Sequence, residues 1–106
     1  MYKRQVKRFP EVINEALVKN KLSIKDIKLI IPHQANFRIS QAVANKMNVD
    51  MNIVYSNIHK YGNTTAASIP IALTEALDEG LIKKGEHIIL AAFGAGYTWA
   101  SAAIRW

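Results

Sequence analysis

The sequence predicts a single α/β domain over residues 1–106, with a mainly parallel sheet flanked by helices. Three observations lead to this prediction. Apolar residues recur at helical spacing in three segments, and short apolar runs bounded by turn residues lie between these segments. Of the 106 residues, 50% are hydrophobic and 21% are charged, with five Gly and three Pro. This balance is typical of one globular domain.

The first part of the chain is predicted to form two helices and two strands. Residues 3–19 carry apolar side chains on one face of a helix, and Pro10 is expected to kink or restart it. The apolar run 27–31 ends at a proline and predicts a strand that is buried on both faces. A second helix is predicted over 36–47. A weaker signal at 52–56 predicts a second strand.

The second part of the chain is predicted to add a helix and an antiparallel strand pair. The helix covers 64–79, and Pro70 is expected to distort it. The run 87–93 is the clearest strand, since it is apolar on both faces. A Gly-Ala-Gly link at 94–96 leads into a last strand, 97–105, which should pair antiparallel with it. The helical connections between the earlier strands imply parallel pairing there.

Composition excludes several classes of protein. No apolar run approaches the ~18 residues that a membrane-spanning helix needs, and no signal peptide opens the chain. We therefore expect no membrane association and a cytoplasmic location. The chain has no cysteine, which excludes disulfides and thiolate chemistry from its own residues. Three scattered histidines make a metal site unexpected.

The net charge of +6 raises the question of an acidic partner. The basic residues cluster near the start of the chain and again at 83–84, without interleaved aromatic residues. A single-stranded nucleic acid groove normally has such aromatics, so we do not expect nucleic acid as a partner. A solvated helix face is the simplest interpretation, and an acidic protein partner is the main alternative.

Three segments are predicted to meet at the edge of the sheet where parallel strands end. They are 32–36 after the first strand, 61–65 before the third helix and 93–96 after the clearest strand. A neutral imidazole at His33 and the amide of Asn63 can both donate hydrogen bonds, which suits a developing oxyanion. The backbone amides of 94–96 could supply a second oxyanion site.

Structural roles remain open for the same residues. His33 could be a hydrogen-bonded structural histidine, Asn63 could be the N-cap of the third helix, and the two glycines could serve only the hairpin. The residue types and their spacing therefore leave a catalytic site and purely structural roles as alternatives.

Three longer motifs carry a resemblance to a known family. The segments IPHQANFRI at 31–39, GNTTAASIP at 62–70 and FGAGYTW at 93–99 resemble motifs of β-ketoacyl-acyl carrier protein synthase III, in the same order and spacing. The resemblance extends over essentially the whole chain. It implies the C-terminal half of a thiolase-like fold, with part of that half missing.

The resemblance implies a decarboxylative condensing enzyme of fatty acid biosynthesis. Such enzymes join an acyl-CoA primer to malonyl-acyl carrier protein, and a cysteine in their N-terminal half carries the acyl group. His33 and Asn63 match the family residues that stabilise the enolate, and the backbone N–H of Ala95 matches a donor of the acyl oxyanion hole. Acyl-CoA and malonyl-acyl carrier protein are substrates, and no cofactor or metal is implied.

The resemblance also assigns binding residues. Asn36, Phe93 and Gly94 match positions that line the route of the substrate or CoA. Arg38 and Lys46 match a basic surface that docks the acidic carrier protein, and such charge complementarity would steer its approach. For Arg38, a solvated helix residue remains the alternative.

The missing cysteine shapes the remaining expectations. We expect this chain alone to be inactive in condensation and to need the N-terminal half of a synthase as its partner. Strands that are apolar on both faces should expose an apolar patch and a free sheet edge when the other half is absent, so we expect a homo-oligomer. The alternative function is a non-catalytic module that binds acyl carrier protein or CoA. The specificity for the primer is not predicted, since the other half largely shapes that pocket.

Overall fold

A computed structural model describes residues 2–94 and 98–106, with only the backbone of Tyr2. Four α-helices and three strands are present in this part of the chain. The helices are α1 (Tyr2–Lys19), α2 (Phe37–Lys46), α3 (Ile58–Tyr61) and α4 (Ser68–Asp78). The strands are β1 (Ile27–Pro32), β2 (His87–Gly94) and β3 (Thr98–Arg105). Short 3₁₀ turns occupy Ile24–Asp26, Met51–Ile53 and Thr65–Ala67.

The sheet is mixed, with β2 between β1 and β3. β1 and β2 are parallel, and Ile31 lies opposite Leu90. β2 and β3 are antiparallel and remain in register up to the pair formed by Gly94 and Thr98. The α/β class and the C-terminal antiparallel pair are thus confirmed. The link between these strands falls on 95–97, which lie outside the described residues.

The core has two layers, one on each face of the sheet. Phe9 and Ile13 of α1, together with Val43 of α2, pack with Ile30 on the first face. On the second face Leu29, Ile31 and Ile88 pack against Tyr55 and the α4 residues Ala72 and Ala76; all are buried. Alternate β1 side chains therefore enter opposite layers, which confirms that this strand is buried on both sides.

The prediction of a strand at 52–56 is wrong. Met51–Ile53 forms a 3₁₀ turn instead, and the Asp50 side chain caps it by accepting a 2.9 Å hydrogen bond from the backbone N–H of Asn52. Only an isolated parallel bridge joins Val54 to Ile30. Residues 51–53 take part in the capped turn and cannot pair with β1, so one bridge forms in place of a strand.

The two prolines disturb the helices less than the sequence predicts. α1 continues through Pro10, because its neighbours Phe9, Val12 and Ile13 are buried in the core and hold this part of the helix in place. Pro70 is the third residue of α4, where a backbone N–H would have no acceptor within the helix.

The last predicted helix, 64–79, also begins later than expected. A 3₁₀ turn over Thr65–Ala67 precedes α4, and the short α3 was not predicted. None of the described helices is both long and apolar enough to cross a membrane.

Candidate active site

An open cleft of about 590 Å³ lies at the carboxyl ends of β1 and β2. Its lining comes from the residue after β1, the turn before α4, the end of β2 and the start of β3. His33 and Asn63 both line it, with Phe93 and Gly94. The predicted convergence is therefore confirmed for His33, for Asn63 and Thr65, and for Phe93 and Gly94; residues 95–96 of the third segment lie outside the described residues.

His33 is fixed by both its backbone and its ring. Its backbone N–H donates to the carbonyl oxygen of Ala91 at 2.7 Å, which continues the parallel ladder beyond the end of β1. Its ring is half-buried, and Nδ1 lies 2.5 Å from Oγ of Ser68. Burial lowers the pKa of His33 below the usual 6.5, since a charged ring is poorly solvated there. The neutral imidazole is therefore the main form at neutral pH.

Asn63 is held by a tight turn at the cleft. Its Oδ1 accepts a 2.9 Å hydrogen bond from the backbone N–H of Thr65. Gly62 and Thr65 both have positive φ, 69° and 52°, and such a backbone is unusual for a β-branched threonine. The bond at Oδ1 identifies the other amide atom, Nδ2, as the free donor. Asn63 thus forms an Asx turn before the 3₁₀ turn, whose N-cap is Thr64, and it is not the N-cap of α4, which is Ala67.

A buried glutamine joins the segment after β1 to the 54–57 segment that precedes α3. The Gln34 side chain donates to the carbonyl oxygens of Pro32 at 2.8 Å and Tyr55 at 3.2 Å. Its Oε1 accepts a hydrogen bond from the backbone N–H of Asn57 at 3.0 Å. Gln34 is only 2% exposed, so these bonds connect the end of β1 firmly to the 54–57 segment.

Sequence reasoning missed the roles of Gln34 and Ser68. A polar residue directly after a buried strand was a usable signal for Gln34. No spacing rule pointed to Ser68, which begins α4 and meets His33 only through the fold.

Aromatic rings form one wall of the cleft. Phe93 is buried between Phe9 and Trp99, with ring centroids 6.4 Å and 6.0 Å away. The guanidinium carbon of Arg8 lies 5.1 Å from the centroid of the Trp99 ring. Nη1 of Arg8 also forms a 2.7 Å ion pair with Oε2 of Glu11. This wall makes one side of the cleft apolar, while His33 is half-buried and Asn63 is exposed on the lining.

The other predicted site residues lie elsewhere. Asn36 is the exposed N-cap of α2, accepts a 2.8 Å bond from the backbone N–H of Arg38, and is not part of the cleft lining. Arg38 and Lys46 are exposed near opposite ends of α2, about 12 Å apart along its axis. Ala95 lies outside the described residues. Among the described residues, no cluster of three His, Asp or Glu side chains could hold a metal ion.

The fold is part of the thiolase-like class of α/β folds. β-Ketoacyl-[acyl carrier protein] synthase III from Thermus thermophilus superposes with a TM-score of 0.97 at 44% identity, over 99% of this chain and 33% of that one. The Aquifex aeolicus 3-oxoacyl-[acyl carrier protein] synthase III gives 0.92 at 48% identity, over 95% of this chain and 33% of that one.

Sequence comparison defines the family. Residues 17–106 match the profile of the 3-oxoacyl-[acyl carrier protein] synthase III C-terminal family, and the chain belongs to this family. It is 52% identical over 106 residues to β-ketoacyl-[acyl carrier protein] synthase III of Clostridium tetani, and 47% identical to that of Clostridioides difficile. The match covers all of this chain and 32% of each relative. The chain thus spans about a third of the length of these curated relatives.

Proposed function

We propose that this chain is the C-terminal catalytic segment of a β-ketoacyl-acyl carrier protein synthase III. In this function His33 and Asn63 stabilise the enolate that forms when malonyl-acyl carrier protein loses CO₂. The observation that carries the proposal is the pairing of two hydrogen-bond donors on one apolar cleft. The acceptor atom of each side chain, Nδ1 of His33 and Oδ1 of Asn63, already has a hydrogen-bond partner within this chain.

The proposed reaction has two parts. A cysteine thiolate from the N-terminal half of the synthase first takes the acyl group from acyl-CoA and releases CoA. The carboxylate–carbon bond of the malonyl group then breaks, and its electron pair moves into the thioester to form an enolate. Nε2 of His33 and Nδ2 of Asn63 donate to the enolate oxygen. The enolate carbon attacks the acyl-cysteine carbonyl, and the thiolate leaves. No cofactor takes part.

The remaining residues have supporting roles in this proposal. The backbone N–H of Ala95 contributes to the oxyanion hole for the acyl-cysteine intermediate. Phe93 and Gly94 line the site for the acyl chain and the thioester, and Asn36 lies along the route of the CoA arm. The exposed cations Arg38 and Lys46 of α2 attract the acidic carrier protein, because opposite charges raise the rate of encounter.

The test is reconstitution with the N-terminal two-thirds of the Clostridium tetani relative, joined to this chain. We expect condensation from the joined protein and none from this chain alone. His33→Ala and Asn63→Ala should each lower malonyl decarboxylation by about 100-fold or more, while acylation of the cysteine continues. His59→Ala is the matched control, since His59 is exposed on α3. Unchanged decarboxylation in both active-site variants would refute the assignment.

A non-catalytic binding module is the second candidate. It is favoured by one observation, a basic α2 surface on a chain that has no cysteine. This function predicts that the chain alone binds acyl carrier protein, and that Arg38→Glu weakens binding while Lys84→Glu does not. Lys84 is an exposed control in the turn before β2, at the other end of the sheet from the cleft. On the family resemblance, we propose a cytoplasmic location for either function.

A further inference from the structure

We infer that Ser68 is a positioning residue for His33. Its hydroxyl donates to Nδ1 of the imidazole and so keeps the single ring hydrogen on Nε2. The catalytic meaning of this arrangement rests on the proposed function, in which Nε2 must be a donor. The hydrogen-bond geometry itself does not depend on that function.

The direction of the bond follows from the two neighbours of the Ser68 hydroxyl. Its Oγ lies 2.5 Å from Nδ1 of His33 and 3.2 Å from the backbone nitrogen of Gln34. The backbone N–H of Gln34 can only donate, so Oγ accepts from it. Within the described part of the chain, Nδ1 is then the one acceptor in reach of the hydroxyl hydrogen.

Burial makes this acceptor necessary. Ser68 is 2% exposed, so water does not compete for its hydroxyl. If Nδ1 carried the hydrogen instead, Ser68 would accept two bonds and its own hydrogen would have no acceptor. A buried donor left in that state is unfavourable. The arrangement with lower free energy therefore has Ser68 donating and the neutral ring protonated at Nε2.

The atoms around Ser68 are rigid, which gives the bond a fixed direction. Ser68 begins α4, and its backbone is set by that helix. The Gln34 side chain is held by the carbonyl oxygens of Pro32 and Tyr55, which fixes the position of its backbone N–H. The hydroxyl is thus held between a fixed donor and a fixed ring, as a positioning residue must be.

The same principle applies to Asn63, and this strengthens the inference. The backbone N–H of Thr65 engages Oδ1 of Asn63, as the Ser68 hydroxyl engages Nδ1 of His33. In each side chain the acceptor atom binds a group of this chain, and the N–H donor can bind the substrate. With the opposite tautomer, Nε2 of His33 would present a lone pair to the thioester oxygen, and the two would repel.

The tautomer can be measured directly. The experiment is a long-range proton–nitrogen NMR correlation of the 106-residue chain labelled with ¹⁵N in its imidazoles, at a pH where His33 is neutral. The signals of His33 are assigned from their loss in His33→Gln. We expect one tautomer, Nε2–H, in the unsubstituted chain. Ser68→Ala should shift both nitrogen resonances toward a mixture of tautomers, and Ser68→Thr, which keeps the hydroxyl, should restore Nε2–H.

Each outcome decides the inference. Nδ1–H in the unsubstituted chain would overturn it, and so would a folded Ser68→Ala chain in which the tautomer is unchanged. Backbone amide spectra show whether a variant is folded. If Ser68→Ala does not fold, the tautomer of the unsubstituted chain and of Ser68→Thr decides the question.

The proposed function can be tested separately. In the joined synthase, Ser68→Ala should lower malonyl decarboxylation by about 10-fold or more without stopping cysteine acylation. If His33 is Nε2–H but His33→Ala leaves decarboxylation unchanged, the proposed function fails and the positioning role stands. If His33 is Nε2–H both in the unsubstituted chain and in a folded Ser68→Ala chain, and His33→Ala abolishes decarboxylation, the positioning role fails and the proposed function stands.

Discussion

The rings of Phe93 and Trp99 lie nearly parallel, with 6° between their planes and 6.0 Å between their centroids. The two residues are direct partners in the β2–β3 ladder. Phe93 is 4% exposed, whereas Trp99 is 38% exposed and carries Arg8 near its ring. The stack therefore connects the buried core beneath the cleft to a partly open rim.

This stack makes Phe93 important for stability as well as for the cleft. Phe93→Ala should lower the free energy of unfolding by about 3–5 kcal/mol, because it leaves a cavity between Phe9 and Trp99. Phe37→Ala is the matched control, since Phe37 is 46% exposed and should cost less than about 1 kcal/mol. Urea unfolding of both variants tests this, and equal losses would contradict it.

The lowered pKa of His33 predicts a pH dependence of stability. The unfolded chain, with a histidine pKa near 6.5, binds a proton more readily than the folded chain. The contribution of His33 to stability is therefore fully present above 6.5 and is lost as the pH falls through the lower, folded value. NMR titration should give a His33 midpoint below 6.5. Replacing His33 by Gln should remove this part of the acid destabilisation, and a midpoint above 6.5 would contradict the prediction.

The hydroxyl of Tyr55 is expected to affect the pKa of Glu75, whose side chain is 15% exposed. Its hydroxyl donates to Oε1 of Glu75 at 2.6 Å and lies 3.2 Å from Oε1 of Glu79. The bond from Tyr55 is the main reason why the pKa of Glu75 is lowered, and Lys60 contributes less. Tyr55→Phe should therefore raise the pKa of Glu75 more than Lys60→Met does. Carboxyl NMR titration measures both shifts, and the reverse order would show that the lysine dominates.

The free edge of β3 predicts self-association of the isolated chain. This strand ends the described sheet, and Trp99, Ala102 and Trp106 at or near it are exposed. Light scattering should give an average mass above that of one chain, and Ala102→Lys should lower it, because a lysine on an edge strand opposes pairing. Asn52→Lys adds the same charge on a distant exposed turn and should leave the mass unchanged. A monomer at high concentration would count against this expectation.

Most of the fold could be predicted from the sequence, and the errors have local causes. β2 is apolar from Ile88 to Phe93, and β1 is apolar apart from the exposed Lys28, so their burial on both faces was visible in the residue types. The segment at 52–56 carried a weaker strand signal, and its first residues form a turn that Asp50 caps. A hydrogen bond between a side chain and a nearby backbone N–H outweighed a weak strand preference there.

The candidate site could be predicted only as a set of segments. The position of His33 after β1 placed it at the carboxyl edge of the sheet. Asn63 was placed there by the predicted strand at 52–56, which does not form, and the turn before α4 brings it to the cleft instead. The sequence did not show which atoms would be free, because that depends on partners such as Ser68 and the N–H of Thr65. Ser68 lies in another segment of the chain. The N–H of Thr65 reaches Asn63 through a backbone conformation that residue types do not reveal.

The bond between the N–H of His33 and the carbonyl oxygen of Ala91 has a consequence for folding kinetics. The cleft cannot exist until β2, near the end of the chain, has paired with β1, near its first third. Closing so long a loop is entropically costly, and folding through distant contacts is slow. On a ribosome, α1 and β1 emerge well before β2 is made. The imidazole therefore reaches its place in the cleft only after β2 has been made and has paired with β1.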